Sequence, residues 1–377
     1  MNELVEAVRR WVDAEVVPVA SELEHADEYP AALVEGMRGL GLFGVTIPEA
    51  YGGLGLDLET YARMNEELSR GWMSLSGILN GHFVTAWMIE TFGTGDQRER
   101  WLPRMATGEI RAAFAMTEPH AGSDLQAIRT RAERDGDEYV VTGEKMWITN
   151  AERAQLLVLL VKTDLQADPP HRGTSTLIVE KDGDTPGLHL ARLEKLGYKG
   201  LETCSVALDG VRVPAANLLG AEEGHGFRQF MAGIELGRVN IAARSVGVAQ
   251  AALDASLRYA RERESFGKPI AQHQAIQLKL ATMATRIEAA RQLTLYAARR
   301  KQSGARADLE AGMAKLFASE VALECATEAM RIHGGYGYSP EFVVERLYRD
   351  APLLVIGEGT NEIQQLVIAR RLLESQS

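Results

Sequence analysis

The hydrophobic residues change their period twice along this chain, which restricts the fold to helical modules flanking a β module. From Glu3 to about Gly108 apolar residues recur mostly at helical spacing, as in Val5, Val8 and Val12 or Leu33, Met37 and Leu40. The breaks at Glu28-Tyr29-Pro30, Ile47 to Gly55 and Phe92 to Asp96 carry turn residues. Near Ile110 the pattern shifts to short β-branched or apolar runs: Tyr139 to Thr149, Leu156 to Val161, Thr174 to Glu180 and Cys204 to Leu208. Asp135-Gly136, Asp182-Gly183 and Asp209-Gly210 bound these runs and predict tight turns. Beyond Gly226 helical spacing returns, with helices expected over Ile241–Glu264, Gln272–Ser303 and Ala307–Arg331. Ala318, Val321, Ala322, Cys325, Ala329 and Ile332 fall on one stripe of the last. The expectation is an α+β multidomain chain: an N-terminal all-α domain (1–111), a small β sandwich or barrel (112–220) and a C-terminal four-helix-bundle-like domain (221–377). Asp164 to Gly173 is expected to be a mobile insertion.

At 377 residues the chain exceeds one core of typical size, so two or three packed modules are expected. No apolar run reaches the ~18 residues of a membrane span. The N-terminus carries Glu3, Glu6, Arg9 and Arg10 in place of a targeting pattern, which predicts a cytoplasmic protein. A net charge of -11 argues against nucleic-acid binding, which needs a basic surface. The two cysteines, Cys204 and Cys325, are far apart and expected to be buried thiols; the eight histidines form no metal-ligand pattern, and no metal is proposed.

Chemistry concentrates in a few segments. Ala115-Met-Thr-Glu-Pro-His-Ala-Gly-Ser-Asp124 gathers small residues and hydroxyls in a turn. Lys145-Met-Trp-Ile-Thr-Asn150 ends a strand, and Arg261 to Ile270 with His273 and Gln274 follows a long helix. His333-Gly-Gly-Tyr-Gly-Tyr338 ends another with consecutive glycines, which let a backbone approach a ligand. Gly357-Glu-Gly-Thr-Asn361 sets a carboxylate just before a helix start. There Thr360 or Asn361 can cap, Asn361 and Gln364 have capping-box spacing, and Ile363, Leu366 and Val367 mark a buried face. At that position the helix dipole favours the ionised form of Glu358 while an apolar pocket opposes it, a balance suited to a base working near neutral pH.

Together these segments, in this order, resemble the acyl-CoA dehydrogenase family over nearly the whole chain. The resemblance implies FAD as cofactor, with Phe114, Met116, Thr117, Gly122 and Ser123 at the flavin. It implies that Trp147 covers one ring face, that Thr149 bonds near N5, and that Ile148 lies between them. Arg263 and Ser265 would meet the pyrophosphate of a neighbouring subunit's FAD and Phe266 its adenine side, joined by His273, Gln274, Gly334 and Gly335. Thr360 and Glu362 are also assigned to the cofactor. The family usually has glutamine where this chain has Arg331, so that contact is an open departure.

The same resemblance assigns Glu358 as base, removing the pro-R α-proton of an acyl-CoA while the β-hydrogen leaves as hydride, giving a trans-2-enoyl-CoA. The thioester oxygen would be held by the backbone N–H of the base and a ribityl hydroxyl of FAD. Some relatives place the base before an arginine on an earlier helix; here that position is Gly237 in Glu235-Leu-Gly-Arg238. Arg238 and Glu235 are expected near the coenzyme A portion, and Ser123 and Gly359 near the substrate. Expected partners are acyl-CoA and an electron-transfer flavoprotein, in a homotetramer. An acyl-CoA oxidase and a non-catalytic acyl-CoA-binding scaffold stay open as alternatives. The acyl pocket is expected to draw on Trp72–Phe83, where Ser74, Ser76, Asn80 and His82 are either ligands or satisfied core groups.

Overall fold

The computed structural model describes residues 3–374. The N-terminal part holds α1 (Glu3–Trp11), α2 (Val17–His25), α3 (Ala31–Gly39), α4 (Leu58–Phe92) and α5 (Gly95–Ala106). The Asp57 carboxylate caps α4 by accepting from Thr60 N, and Thr94 and Gln97 form a reciprocal capping box at α5. Strands β1 (Ala112–Ala115), β2 (Arg131–Asp135), β3 (Glu138–Thr149), β4 (Leu156–Lys162), β5 (Thr174–Glu180), β6 (Leu188–Arg192) and β7 (Thr203–Pro214) follow. The last part contains α6 (Gly226–Glu262), the short hairpin β8 (Glu264–Ser265) and β9 (Lys268–Pro269), then α7 (Gln274–Gln302), α8 (Asp308–His333), α9 (Val344–Ile356) and α10 (Asn361–Glu374).

The β module is one curled, mixed seven-stranded sheet in the order β1-β4-β2-β3-β7-β6, with β5 antiparallel to β4. Its inward faces form a core of their own, including Tyr139, Val141, Leu157, Leu159 and Val206. Asp209-Gly210 does not turn the chain as its composition suggests. Instead β7 runs through it, and the register slips between Val141 and Thr142 so that Gly210 becomes an extra residue, a bulge. Asp135-Gly136 does make the β2–β3 turn, with Gly136 at φ 63°.

The helical parts are not independent. One continuous core joins Val8, Val12 and Leu68 from the first part to Val239, Ala318, Val321 and Leu354 from the last. Helix α6 is the spine of this core, packed against α4, α7 and α8. It begins fifteen residues before the sequence-based start, because Gly226–Asn240 is buried on most sides and so shows no clear polar face. The expected stripe on α8 is buried throughout, Cys325 included, and Cys204 lies in the sheet core; both thiols are unpaired. Among the described residues no helix is long and apolar enough to cross a membrane.

Candidate active site

The loop after β1 is built around a buried ion pair that joins two motifs lying far apart in sequence. Lys145 Nζ donates to Glu118 Oε1 at 2.9 Å, and both side chains are out of solvent. Nζ also donates to the carbonyls of Met116 and Leu160, and Met146 N donates to Thr117 O at 2.9 Å. Glu118 in turn accepts from the backbone N–H groups of Arg129 and Thr130. Burial opposes ionisation of Glu118, but Lys145 and these N–H donors outweigh it and hold the carboxyl below its usual range. Burial pushes Lys145 down to about 8. Thus Thr117 and the Trp147–Thr149 stretch are fixed side by side.

Beside this brace the backbone departs from ordinary strand geometry. The β3–β7 register breaks between Lys145 and Ile148, and Trp147 sits there at φ 64° with 58% of its surface exposed. A left-handed conformation costs a non-glycine residue about 1–3 kcal/mol, and more than half of the indole surface is left uncovered. Ile148 points its side chain into the sheet core, so only its main chain is available to a ligand. Thr149 Oγ1 lies 3.4 Å from Thr203 Oγ1. Gly122 is exposed, and a Cβ there would meet no atom of the chain within 4 Å. These features fit a planar ring lying against the strand end and the turn. Phe114 stacks on Phe230 with ring centroids 4.3 Å apart, and Met116 packs at the rim of the same cluster.

Glu358 reaches the same region from the loop between α9 and α10. It has φ 55°, another left-handed non-glycine residue, and Gly359 follows at φ 85°. Glu358 Oε1 accepts from Asn80 Nδ2 at 2.7 Å, while Oε2 is buried with no hydrogen-bond partner. Burial raises its carboxyl above the usual range, opposed by the Asn80 hydrogen bond and by Arg244, Arg238 and Lys315. Among the described residues its backbone N–H donates to no group of the chain. Next to Asn80, Gly81 packs on β1: a Cβ there would lie 3.2 Å from Ala112 O and 3.4 Å from Phe114 N. Helix α4 therefore links the carboxylate to the strand that leads into the Thr117 turn.

Gly237 is equally informative. A Cβ on it would stand 2.7 Å from Glu358 Oε2 and 2.9 Å from Cδ. A carboxylate carried from position 237 would enter the space that Glu358 occupies, so the two positions expected to carry a base share one site. Arg238, 6% exposed, has a buried Nε without a partner. The Glu235 Oε2 is already engaged by Lys301 Nζ at 2.8 Å, which leaves its other oxygen for any contact to a substrate.

Several expectations need correction here. The Asn361–Gln364 capping box does not form. Thr360 Oγ1 caps α10 by accepting from Ile363 N, while Asn361 Oδ1 accepts from Lys315 and Ser319 and Gln364 Nε2 holds the carbonyls of Glu358 and Gly359. The buried face of α10 is consequently polar, Asn361 and Gln364, and Leu366 is exposed. Glu362 is exposed on the first turn. In the expected pocket segment, Ser74 donates to Lys199 O and Ser76 to Asn65. His82 is bonded through Nε2 to Phe43 O and pushed by burial down to about 4, a neutral core residue. Asn80 alone among them reaches the site. Arg244, Tyr198 and Lys315 also lie near Glu358, with Asn240 holding Arg244, and were not anticipated; the visible signal was a lone arginine at 244 within a run of small and apolar residues.

The two C-terminal motifs meet in a second cleft of about 650 Å³, lined by Arg263, His333, Gly334, Gly335 and Tyr336 among others. Arg263 lies over the Tyr336 ring at 5.7 Å, and Ser265 Oγ is 3.2 Å from His273 Nε2. Gly267, with Phe266 at φ 52°, forms the β8–β9 turn and leaves Phe266 96% exposed. Gln274 and Arg331 are exposed, and Arg331 Nη1 bonds Glu328 Oε1 at 2.6 Å. From Gly237 to the end of α6 at Glu262 is roughly 38 Å at 1.5 Å per residue, so this cleft and the Glu358 region lie far apart along the spine.

Comparison with known proteins agrees with this geometry. Residues 1–109, 113–211 and 224–373 match the N-terminal, middle and C-terminal domains of acyl-CoA dehydrogenase. The chain belongs to the acyl-CoA dehydrogenase family, and is thus an FAD-dependent oxidoreductase. It is 45% identical over 374 residues to (2S)-methylsuccinyl-CoA dehydrogenase of Cereibacter sphaeroides, a match covering 97% of this chain and 68% of that one. Butyryl-CoA dehydrogenase of Megasphaera elsdenii is 36% identical with TM-score 0.94, covering 99% of both chains. A chain from a structure described as the electron transferring flavoprotein of Acidaminococcus fermentans matches at 37% identity and TM-score 0.95, covering 99% of this chain and 98% of that one.

Proposed function

We propose that the chain oxidises an acyl-CoA thioester to its trans-2-enoyl-CoA, with Glu358 as the base that removes the α-proton. The observation that carries this reading is the carboxylate itself: one oxygen is positioned by Asn80, the other is buried and unbonded. A buried acceptor without a donor costs about 1–3 kcal/mol or more, which a group waiting for a substrate proton accounts for. The upward shift of its pKa brings it toward the range in which a base works near neutral pH. The unused N–H of Glu358 is suited to the thioester oxygen, where it would stabilise the enolate-like charge that develops as the proton leaves.

FAD, when bound, supplies the acceptor for the β-hydrogen. Thr117, Gly122, Ser123, Trp147 and Thr149 would hold its ring system, with Phe114, Met116 and the main chain of Ile148 behind them. Arg263, Ser265, Phe266, His273 and Gln274 would meet a neighbouring subunit's cofactor, with Gly334, Gly335 and Arg331 across the cleft. The 38 Å separation and the exposed Phe266 favour that division and an assembly of at least two subunits, for which the family resemblance suggests a homotetramer. Thr360 and Glu362 complete the cofactor set. Ser123 and Gly359 would contact substrate, while Arg238 and Glu235 face the coenzyme A portion. Electrons would pass to an electron-transfer flavoprotein, and the protein would work in the cytoplasm.

The test is anaerobic addition of a panel of acyl-CoA thioesters to the purified holoprotein. Bleaching of the flavin, followed by fast reoxidation with electron-transfer flavoprotein and slow reoxidation with oxygen, is the expected result. Rapid peroxide formation at each turnover would reassign the chain as an oxidase, and no bleaching with any thioester would remove the dehydrogenase reading.

A further inference from the structure

A guanidinium with no carboxylate partner lies beside the proposed base. Arg244 on α6 is 2% exposed. Its Nε donates to Asn240 Oδ1 at 2.7 Å and its Nη1 to the Tyr198 hydroxyl at 3.2 Å, both neutral groups. Among the described residues Nη2 has no hydrogen-bond partner, and no carboxylate lies within ion-pair distance. A charge removed from water is ordinarily paired, because the interior does not replace its hydration.

The seat that holds Arg244 is itself fixed. Asn240 Nδ2 donates to the Tyr61 hydroxyl at 2.8 Å, and Tyr198 N donates to Asp350 Oδ1 at 2.6 Å. The Tyr198 hydroxyl presses on α4 where residue 77 is glycine; a Cβ there would come within 1.7 Å of it. Three elements thus hold the guanidinium while leaving part of its fork unused.

The local charge balance points the same way. Arg238, Arg244 and Lys315 all act on the Glu358 carboxylate, but Arg238 also has Glu235 and Asp308 nearby, and Lys315 has Glu362 and Glu320. Lys315 is occupied by Val355 O and Asn361 Oδ1, and Arg238 is the residue assigned to coenzyme A. Arg244 remains. It is seven residues beyond Gly237, so the two share one face of α6 about two turns apart. Helical side chains lean toward the helix N-terminus, which carries the Arg244 head back toward the level of Gly237 and Glu358.

We propose that Arg244 receives a carboxylate at the far end of a short acyl group, so that the preferred substrate is a monothioester of a dicarboxylic acid. This rests on the dehydrogenase reading above, with Glu358 acting on the α-carbon. The planar fork can accept two carboxylate oxygens, whereas an alkyl terminus would leave the guanidinium buried and unanswered. A site built for a polar group rejects the analogue lacking it far more strongly than an apolar pocket rejects an extra methylene.

The test uses FAD-loaded protein and anaerobic stopped-flow bleaching. The dicarboxylic probes are 2-methylsuccinyl-CoA and glutaryl-CoA, compared with the neutral probes 2-methylbutyryl-CoA and hexanoyl-CoA. At least about a 100-fold preference in kcat/KM for a dicarboxylic probe is expected. Arg244→Gln should collapse that ratio toward one, mainly through KM, and Arg244→Lys should restore part of it. Neutral probes that react as well as the dicarboxylic ones with the unaltered protein would overturn the proposal while leaving the dehydrogenase reading intact. So would an Arg244→Gln protein that keeps the ratio. Should that variant fail to fold, the ratio measured on the unaltered protein decides alone. Failure of all four probes and of other acyl-CoA thioesters to bleach bound FAD would overturn both readings.

Discussion

Gly237→Ala perturbs the proposed base without altering any group that ionises. The added methyl would stand 2.7 Å from Glu358 Oε2, against the 3.4 Å at which ordinary van der Waals contact begins. The obstruction is the end of a side chain, so the fold can yield: the carboxylate must retreat by roughly 0.7 Å. Alanine also suits a helix interior better than glycine, by about 1 kcal/mol. Stability should therefore change little, whereas the Asn80 hydrogen bond of 2.7 Å and the approach to the α-carbon are both disturbed. A misplacement near 1 Å costs about 100-fold in a reaction that depends on near-attack geometry. The assay is stopped-flow bleaching at saturating substrate, with the FAD:protein ratio and thermal midpoint measured on the same preparation. Loss of about 100-fold in the bleaching rate with an unchanged midpoint is expected. A rate within threefold of the unaltered protein would refute the argument that Gly237 is kept small to make room for the base.

Three further outcomes follow from other contacts. Asn80→Ala removes a donor that favours the ionised carboxylate, so the Glu358 pKa should rise further; because a base acts when ionised, the acidic limb of the rate profile should move to higher pH. An unmoved limb would show that Asn80 does not tune the base. Lys145→Met leaves Glu118 buried without its cation and should cost about 3–5 kcal/mol in denaturant unfolding, with loss of FAD from the loosened Thr117 turn; a variant of normal stability holding FAD would contradict the bracing role. Arg331→Ala breaks only an exposed pair with Glu328, so stability should shift by less than about 1 kcal/mol, while FAD should dissociate more readily at low salt and the difference fade as salt rises. Equal FAD affinity across a salt series would show that Arg331 does not hold the cofactor.

Most of the architecture was legible because its signals are local. Strands β3, β4 and β5 carry β-branched or apolar runs, and the α8 stripe repeats at helical spacing. Strands β1, β2 and β6 were missed for equally local reasons: Ala112–Ala115 is short and mostly alanine, Arg131–Asp135 is almost wholly charged, and Leu188–Arg192 is a short edge. Their pairing partners, not their composition, make them strands. Glu118 and Lys145 stood in the sequence motifs, but their ion pair depends on folding β3 beside the turn, which no spacing reveals. Asn80 and Arg244 show the limit most clearly. Each is a polar residue in a largely apolar stretch of its helix, and only the packing of α4 on α6 decides that Asn80 touches the base and that Arg244 has no carboxylate within ion-pair distance.

The central claim is tested most directly by Glu358→Gln, which keeps the shape of the side chain and removes its capacity to take a proton. The variant should remain folded, retain FAD, and still perturb the flavin spectrum when acyl-CoA binds. The anaerobic bleaching rate with a substrate that the unaltered protein oxidises should fall by about three orders of magnitude or more. Bleaching at a near-normal rate would contradict the assignment of Glu358 as the base.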